Sequence, residues 1–244
     1  YAESLASPNR YLFGSVDDTD HEDDYYGGPF WLYIIDRQGR ILWYYSDVGD
    51  NPILGFPKIS RDNRYIFFPN RRPWEGSGGF SPQVTLMTLD WEYFEEVELD
   101  LSDNADMTDG GTILYENYGT DYDVWLKEWQ PGGSVRNIWN CTDNFDTGEW
   151  AECYSNTVFW NSKDDTVLLS FPTVNTVVEI DRLSGDMVAQ YGNKTGSYDF
   201  NPWSWDFGWQ HYANITPDGT LMVSSHMPGS NSDQGFLEFE IDRT

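Results

Sequence analysis

The chain has 244 residues, and its 41 Asp and Glu outnumber 14 Lys and Arg to give a net charge of −27. A field of that sign repels phosphate backbones and anionic lipid, which excludes nucleic acid and acidic membrane surfaces as partners. No run of about 18 apolar residues exists to span a bilayer, and 17% aromatic content supplies too much ring surface for an acidic disordered polymer.

Self-comparison reveals one unit written five times. A turn of Asp, Asn or Gly leads into a strand of alternating apolar residues at 7–13, 62–68, 109–115, 164–170 and 218–224. A second strand follows each copy, at 30–36, 83–90, 124–129, 176–181 and 235–242. A third often follows, as at 40–45 and 186–191, and inner strands are predicted at 55–59, 103–107, 154–160 and 210–215. In the first unit only residues 1–6 can take the inner place, and the last unit has no outermost strand after Glu238. Asp-Gly and related pairs supply the positive φ that tight hairpins need, and period-2 alternation gives each strand a packing face. A thin meander must stack on its neighbours to bury that face. Units of about 50 residues with three or four strands therefore predict an all-β fold, a β-propeller of five, or six, meander blades with an irregular last blade. The units run 1–50, 51–100, 101–150, 151–206 and 207–244 within a single domain, 1–244. Three acidic or aromatic inserts, at 16–29, 70–82 (with Arg71, Arg72 and Trp74) and 193–209, read as rim loops. An open sheet edge in the last unit invites a second chain, so a homo-oligomer or filament is expected.

Cys141 and Cys153 are the only cysteines, and with three His in the chain they read as a disulfide rather than a zinc site. Sequons start at Asn140, Asn193 and Asn214 and predict N-linked glycans. A lone cysteine pair with sequons predicts a secreted, extracellular protein, and the start at Tyr1 without an apolar leader reads as a processed mature chain.

The blade patterns over residues 154–225, together with the opening Leu32-Tyr-Ile-Ile-Asp-Arg-Gln-Gly-Arg-Ile-Leu-Trp, resemble the arylsulfotransferase propeller family. Together they cover about half the chain. The resemblance implies sulfuryl transfer through a channel histidine, helped by further His, an Asn and an Arg. His211 matches one family histidine and Asn156 the family Asn. Tyr154 stands where the family has a second His, and Pro172 falls near the family Arg. The inner strands of the second and third units carry no His. A −27 field also disfavours a sulfate monoester. The expectation is therefore a non-catalytic structural or interaction module, with a sulfuryl-transfer enzyme and a carbohydrate-binding or lyase-like propeller as the alternatives.

Other candidates follow from residue type. Trp203, Trp205 and Trp209 alternate in a loop and offer indole faces on which sugars stack, or else they cap the core. Asp100, Asp103, Asp106 and Asp109 surround one turn and offer oxygen ligands to Ca²⁺, with a solvated turn as the ordinary alternative. No other cofactor is expected. His21 lies in an acidic loop and His226 at a strand end.

Overall fold

A computed structural model of the chain describes residues 11–17, 30–47, 57–60, 63–69, 81–101, 104–118, 123–144, 153–194, 196–198, 207–226 and 234–242. The chain divides into two compact units, Tyr1–Asp100 and Leu101–Thr244. Every sheet is antiparallel, and its strands run in chain order from one edge to the other.

In the first unit, β1 (Leu12–Asp17), β2 (Phe30–Ile35) and β3 (Ile41–Asp47) form a three-stranded sheet. Strands β4 (Lys58–Ile59), β5 (Ile66–Pro69), β6 (Ser81–Met87) and β7 (Phe94–Leu101) form a four-stranded one. Leu32 of the first sheet packs with Ile66, Phe68 and Met87 of the second, and Phe13, Trp43 and Tyr45 close over them. The register explains the choice of face. Phe13, Ile34 and Trp43 stand opposite one another, as do Ser15, Leu32 and Tyr45, so period-2 alternation sends both rows to the same side.

In the second unit, β8 (Ala105–Met107), β9 (Ile113–Tyr118), β10 (Val124–Gln130) and β11 (Ser134–Asn140) form the third sheet. The fourth contains β12 (Val158–Asn161), β13 (Thr166–Phe171), β14 (Thr176–Asp181) and β15 (Met187–Gly192). The fifth contains β16 (Gly208–Ile215), β17 (Leu221–His226) and β18 (Gln234–Phe239). Strand β13 is buried at all six positions because a sheet lies against each of its faces. Val167, Leu169 and Phe171 pack with Leu114, Val124, Leu126 and Trp139 of the third sheet. Leu168 points the other way, into a cluster with Ala213, Ile215, Leu221, Val223 and Leu237 of the fifth. Each such fully buried side chain stabilises by about 1.5–3 kcal/mol, so the meanders hold by stacking rather than singly.

The five repeats of the sequence are these five sheets. The inner strands β4 and β12 are shorter than predicted, for β4 keeps two residues and β12 starts at Val158 because residues 154–157 run without ladder pairing, whereas β16 starts two residues earlier than predicted, at Gly208. The inner segment expected at 1–6 lies outside the described residues, and the fifth sheet has three strands among them. One polar link recurs. A Thr at or just before the second strand of sheets three, four and five donates its hydroxyl to a Glu on the next strand: Thr112 to Glu128, Thr166 to Glu179 and Thr220 to Glu238, at 2.8, 2.7 and 2.6 Å.

Candidate functional site

Strand β16 carries His211, the histidine singled out in the sequence, and its backbone is irregular around it. Gly208 pairs with His226, His211 with Ser224 and Asn214 with Met222, with a register shift in each interval. The extra residues sit in left-handed backbone at Trp209 (φ 49°) and Tyr212 (φ 51°). Bulky side chains at such positions cost on the order of 1–3 kcal/mol each, and bulges are the usual way a strand re-aims its side chains. Here Trp209, His211 and Tyr212 all face outward, 58% and 46% exposed for the two aromatics, while Gln210, Ala213 and Ile215 enter the core. Asn175 anchors the first bulge: its Oδ1 accepts from Trp209 N–H at 2.9 Å. Asn175 is itself left-handed and ends the 3-10 turn Pro172–Val174, in which Pro172 is buried.

The remaining candidates meet the buried side of the same strand. Asn156 is buried, and its Nδ2 donates to the Gln210 carbonyl at 2.8 Å. Gln210 is fully buried and donates through Nε2 to the Thr176 carbonyl at 3.0 Å. Tyr154 stacks on Tyr118 with centroids 5.7 Å apart, and the Tyr118 hydroxyl donates to the Ser155 carbonyl. The structure thus brings Asn156 against the backbone of the strand that carries His211. The His211 ring is exposed, with Nδ1 3.1 Å from the Trp209 carbonyl. Two buried polar atoms here, Ser155 Oγ and Gln210 Oε1, meet no partner among the described residues. Each is a hydrogen-bonding capacity that costs on the order of 1–3 kcal/mol when unused.

The other predicted residues are dispersed. Trp203, Trp205, Asp103, His21, Arg71, Arg72 and Trp74 lie outside the described residues. Asp106 is committed to the fold: Oδ2 accepts from Trp160 N–H at 2.7 Å, joining the third sheet to the fourth, and Oδ1 accepts from Met107 N–H. Asp109 is exposed on the β8–β9 turn and Asp100 at the end of β7. Among the described residues no three His, Cys, Asp or Glu side chains converge as a metal site would require. Cys141 and Cys153 form a disulfide, Cα atoms 5.7 Å apart, inside the core between sheets three and four. Asn193 is exposed and Asn214 half-buried. Asn140 is buried, and its Nδ2 donates to Asp123 and Thr142.

The charges that do converge were not apparent as a group in the sequence. Fully buried Glu128 on β10 accepts from Arg136 at 2.6 Å and from Arg182 at 2.7 Å. Arg182 also forks onto Asp165 at 2.7 and 2.9 Å, and the Trp160 indole donates to the same carboxylate. Arg136 reaches the carbonyls of Arg182 and Leu183. Burial pushes the Glu128 carboxyl up, but hydrogen bonds from Arg136 and Thr112 and the two guanidinium charges outweigh it and hold the group below its ordinary value. The Arg182 hydrogen bonds hold Asp165 down likewise, and Asp165 in turn raises Arg182. The cluster clamps sheet three to sheet four; no positive group in it is left over for a ligand anion, since both guanidiniums are engaged.

No family model and no curated protein matches the chain. Solved structures do, and they define its class: a β-propeller, all-β, whose five sheets are its blades. A streptogramin B lyase structure matches at TM-score 0.51 and 12% identity, over 95% of this chain and 74% of that one. The β-propeller domain of Myceliophteria thermophila Cps50 (Swd1) matches at TM-score 0.51 and 11% identity, over 85% and 64%. The Dos1 propeller matches at TM-score 0.51 and 8% identity, over 87% and 48%. A protein of unknown function from Bacteroides caccae is matched over 61% of its own length. At these identities the likeness concerns the fold and not the chemistry. No described helix is long and apolar enough to cross a membrane.

Proposed function

We propose that the chain is an extracellular, N-glycosylated, non-catalytic propeller that serves as an interaction module and assembles with further copies through the edge of its fifth sheet. The observation that carries the reading is the state of Asn156 and His211. The asparagine that resembles the family's catalytic one has its amide tied to the Gln210 carbonyl, and His211 is exposed with its Nδ1 3.1 Å from the Trp209 carbonyl. A nucleophilic imidazole needs an oriented partner and cationic donors aimed at the transferring oxygens. Here Tyr154 and Pro172 occupy the positions that would supply them. The buried disulfide supports an oxidising compartment. Among the described residues the fifth sheet has three strands, and Phe236 of β18 is 74% exposed; both support pairing at that edge.

The assay is sulfuryl transfer from an aryl sulfate by wild type and His211→Ala. Equal, negligible rates are expected, and a wild-type rate abolished by the substitution refutes the reading. Light scattering should find oligomers, and a strictly monomeric protein at high concentration contradicts assembly. Deglycosylation of protein from a secreting host should release glycans from Asn193 and Asn214. Asn140, with its amide buried, should stay unmodified.

A second reading, carbohydrate binding, is supported by the outward rings of Trp209 and Tyr212 beside His211. A glycan array on which a hit disappears with Trp209→Ala selects it.

A further inference from the structure

The outer hairpin turns of the repeats disagree at one residue. Between their last two strands, sheets one, three and four turn through a left-handed residue, and it is glycine each time: Gly39 (φ 79°), Gly133 (φ 89°) and Gly185 (φ 78°). In sheet two the corresponding turn, where Trp91 N–H donates to the Thr88 carbonyl, places Trp91 there at φ 63°. Glycine takes this backbone without a steric penalty and tryptophan does not. A bulky side chain held in a glycine conformation is an outlier that calls for a use.

Its surroundings indicate which. The Trp91 ring is 51% exposed and leans on Tyr45 (centroids 5.4 Å apart) and Trp43 (6.4 Å). The Trp43 indole donates to the Leu89 carbonyl and fixes the tip against the first sheet. Leu89, Tyr93 and Phe94 extend the patch, each more than a third exposed, and Tyr93 meets Tyr65 edge-on at 5.6 Å. Around these rings the chain from Thr88 to Asp100 holds six carboxylates and no Lys or Arg. Asp90, Glu92, Glu95 and Glu96 are all exposed. Burial, and then Glu95 accepting its hydroxyl proton, push Tyr93 up to about 12. The patch already shows its preference internally, for the Arg64 guanidinium sits 5.4 Å above the Tyr65 ring. Indole faces attract cations more strongly than other aromatic rings do, and nearby carboxylates add a long-range pull.

We propose that the β6–β7 turn, with Trp91 at its tip, is a docking surface for a cationic, Arg- or Lys-bearing peptide segment of a partner. The rings supply the contact and the carboxylates the selection for positive charge. This surface belongs to the first unit, and the proposal does not depend on how the β16 face is used.

A protein of this charge attracts polycations everywhere, so the test must isolate the ring. Capped hexa-arginine is titrated into the full chain at about 50 mM salt, where screening is modest. Trp91→Leu, which leaves the net charge unchanged, should weaken binding about fivefold, and Trp91→Phe by about twofold. Asp109→Asn, which removes one charge from a turn of another sheet, should stay close to wild type. Glu92→Gln should weaken binding beyond Asp109→Asn. Equal affinity in wild type and Trp91→Leu overturns the proposal and leaves only the diffuse field. Phe and Leu variants that are alike overturn the cation–ring contact. A melting temperature that falls in Trp91→Leu without loss of peptide binding assigns the ring to packing and also overturns it. A neutral oligosaccharide that binds in place of the peptide, and is lost in Trp91→Leu, makes this a sugar site instead.

Discussion

Replacing Arg182 with Met tests whether the charged cluster clamps two blades. The substitution keeps the aliphatic stem and removes the guanidinium. Glu128, with no exposed side-chain surface, then retains only Arg136 and Thr112, and Asp165 retains Trp160. Breaking a buried pair from one side costs about 3–5 kcal/mol. Arg182 is 19% exposed and Asp165 36%, and Glu128 keeps one cation, so a smaller loss of about 2–3 kcal/mol is expected. Hydrogen exchange of peptides 124–140 and 166–181 across a urea gradient reads the second unit by itself, which matters because two units need not unfold together. The pH dependence fixes the sign. Both carboxyls are held below their ordinary values of 4.5 and 3.8. A depressed folded pKa contributes stability that is complete above the unfolded value and lost as the pH falls through the folded one. The gap between wild type and variant should therefore be full at pH ~7 and shrink progressively once the pH falls below the ordinary carboxyl values. In a double-mutant cycle Glu128→Gln and Arg182→Met should couple by about 1–2 kcal/mol. A loss under about 0.5 kcal/mol at neutral pH, or one that persists undiminished in acid, refutes the clamp.

Three further outcomes test the repeat and its joints. Thr166→Val removes a hydroxyl from fully buried Glu179 and should cost about 2 kcal/mol in urea unfolding, whereas Thr220→Val, facing exposed Glu238, should cost less than about 0.5. Joint replacement of Cys141 and Cys153 by Ala should lower stability by about 3 kcal/mol, and reductant should shift the wild-type urea midpoint but not the variant's. Gly192→Ala places a Cβ 2.0 Å from the Asn175 carbonyl oxygen at φ 123°, and should cost about 3 kcal/mol or more in the same assay.

The strands and tight turns could be read directly from the amino acids because both are local. Asp218-Gly219 and Asp109-Gly110-Gly111 carry their turn chemistry in adjacent residues, and the structure places left-handed glycines at Gly219 and Gly111. The exceptions resisted. Trp91, Trp209 and Tyr212 adopt the glycine conformation with no local sign of it, and a scan for Gly and Asn passes over them. The recurring Thr–Glu link was equally hidden. Its partners lie 16, 13 and 18 residues apart because the intervening hairpins differ in length, so no fixed spacing betrays it. The candidate site was legible as residue types and not as geometry. His211 and Asn156 were both found, but that Asn156 is buried against the Gln210 carbonyl while His211 stays exposed on the bulged strand is decided by tertiary packing.

What the sequence determined by itself is a repeated meander, its tight turns and its single disulfide, since each follows from alternation, a dipeptide or a lone pair of thiols. What only the tertiary structure decided is which side of each sheet meets which neighbour. Val167 and Leu168 are adjacent apolar residues, yet they enter different cores, and Glu128 finds Arg182 at a distance of 54 residues. Those pairings arise when one sheet is laid on the next, and the free energy that selects them is the burial shared between blades, which no single blade contains.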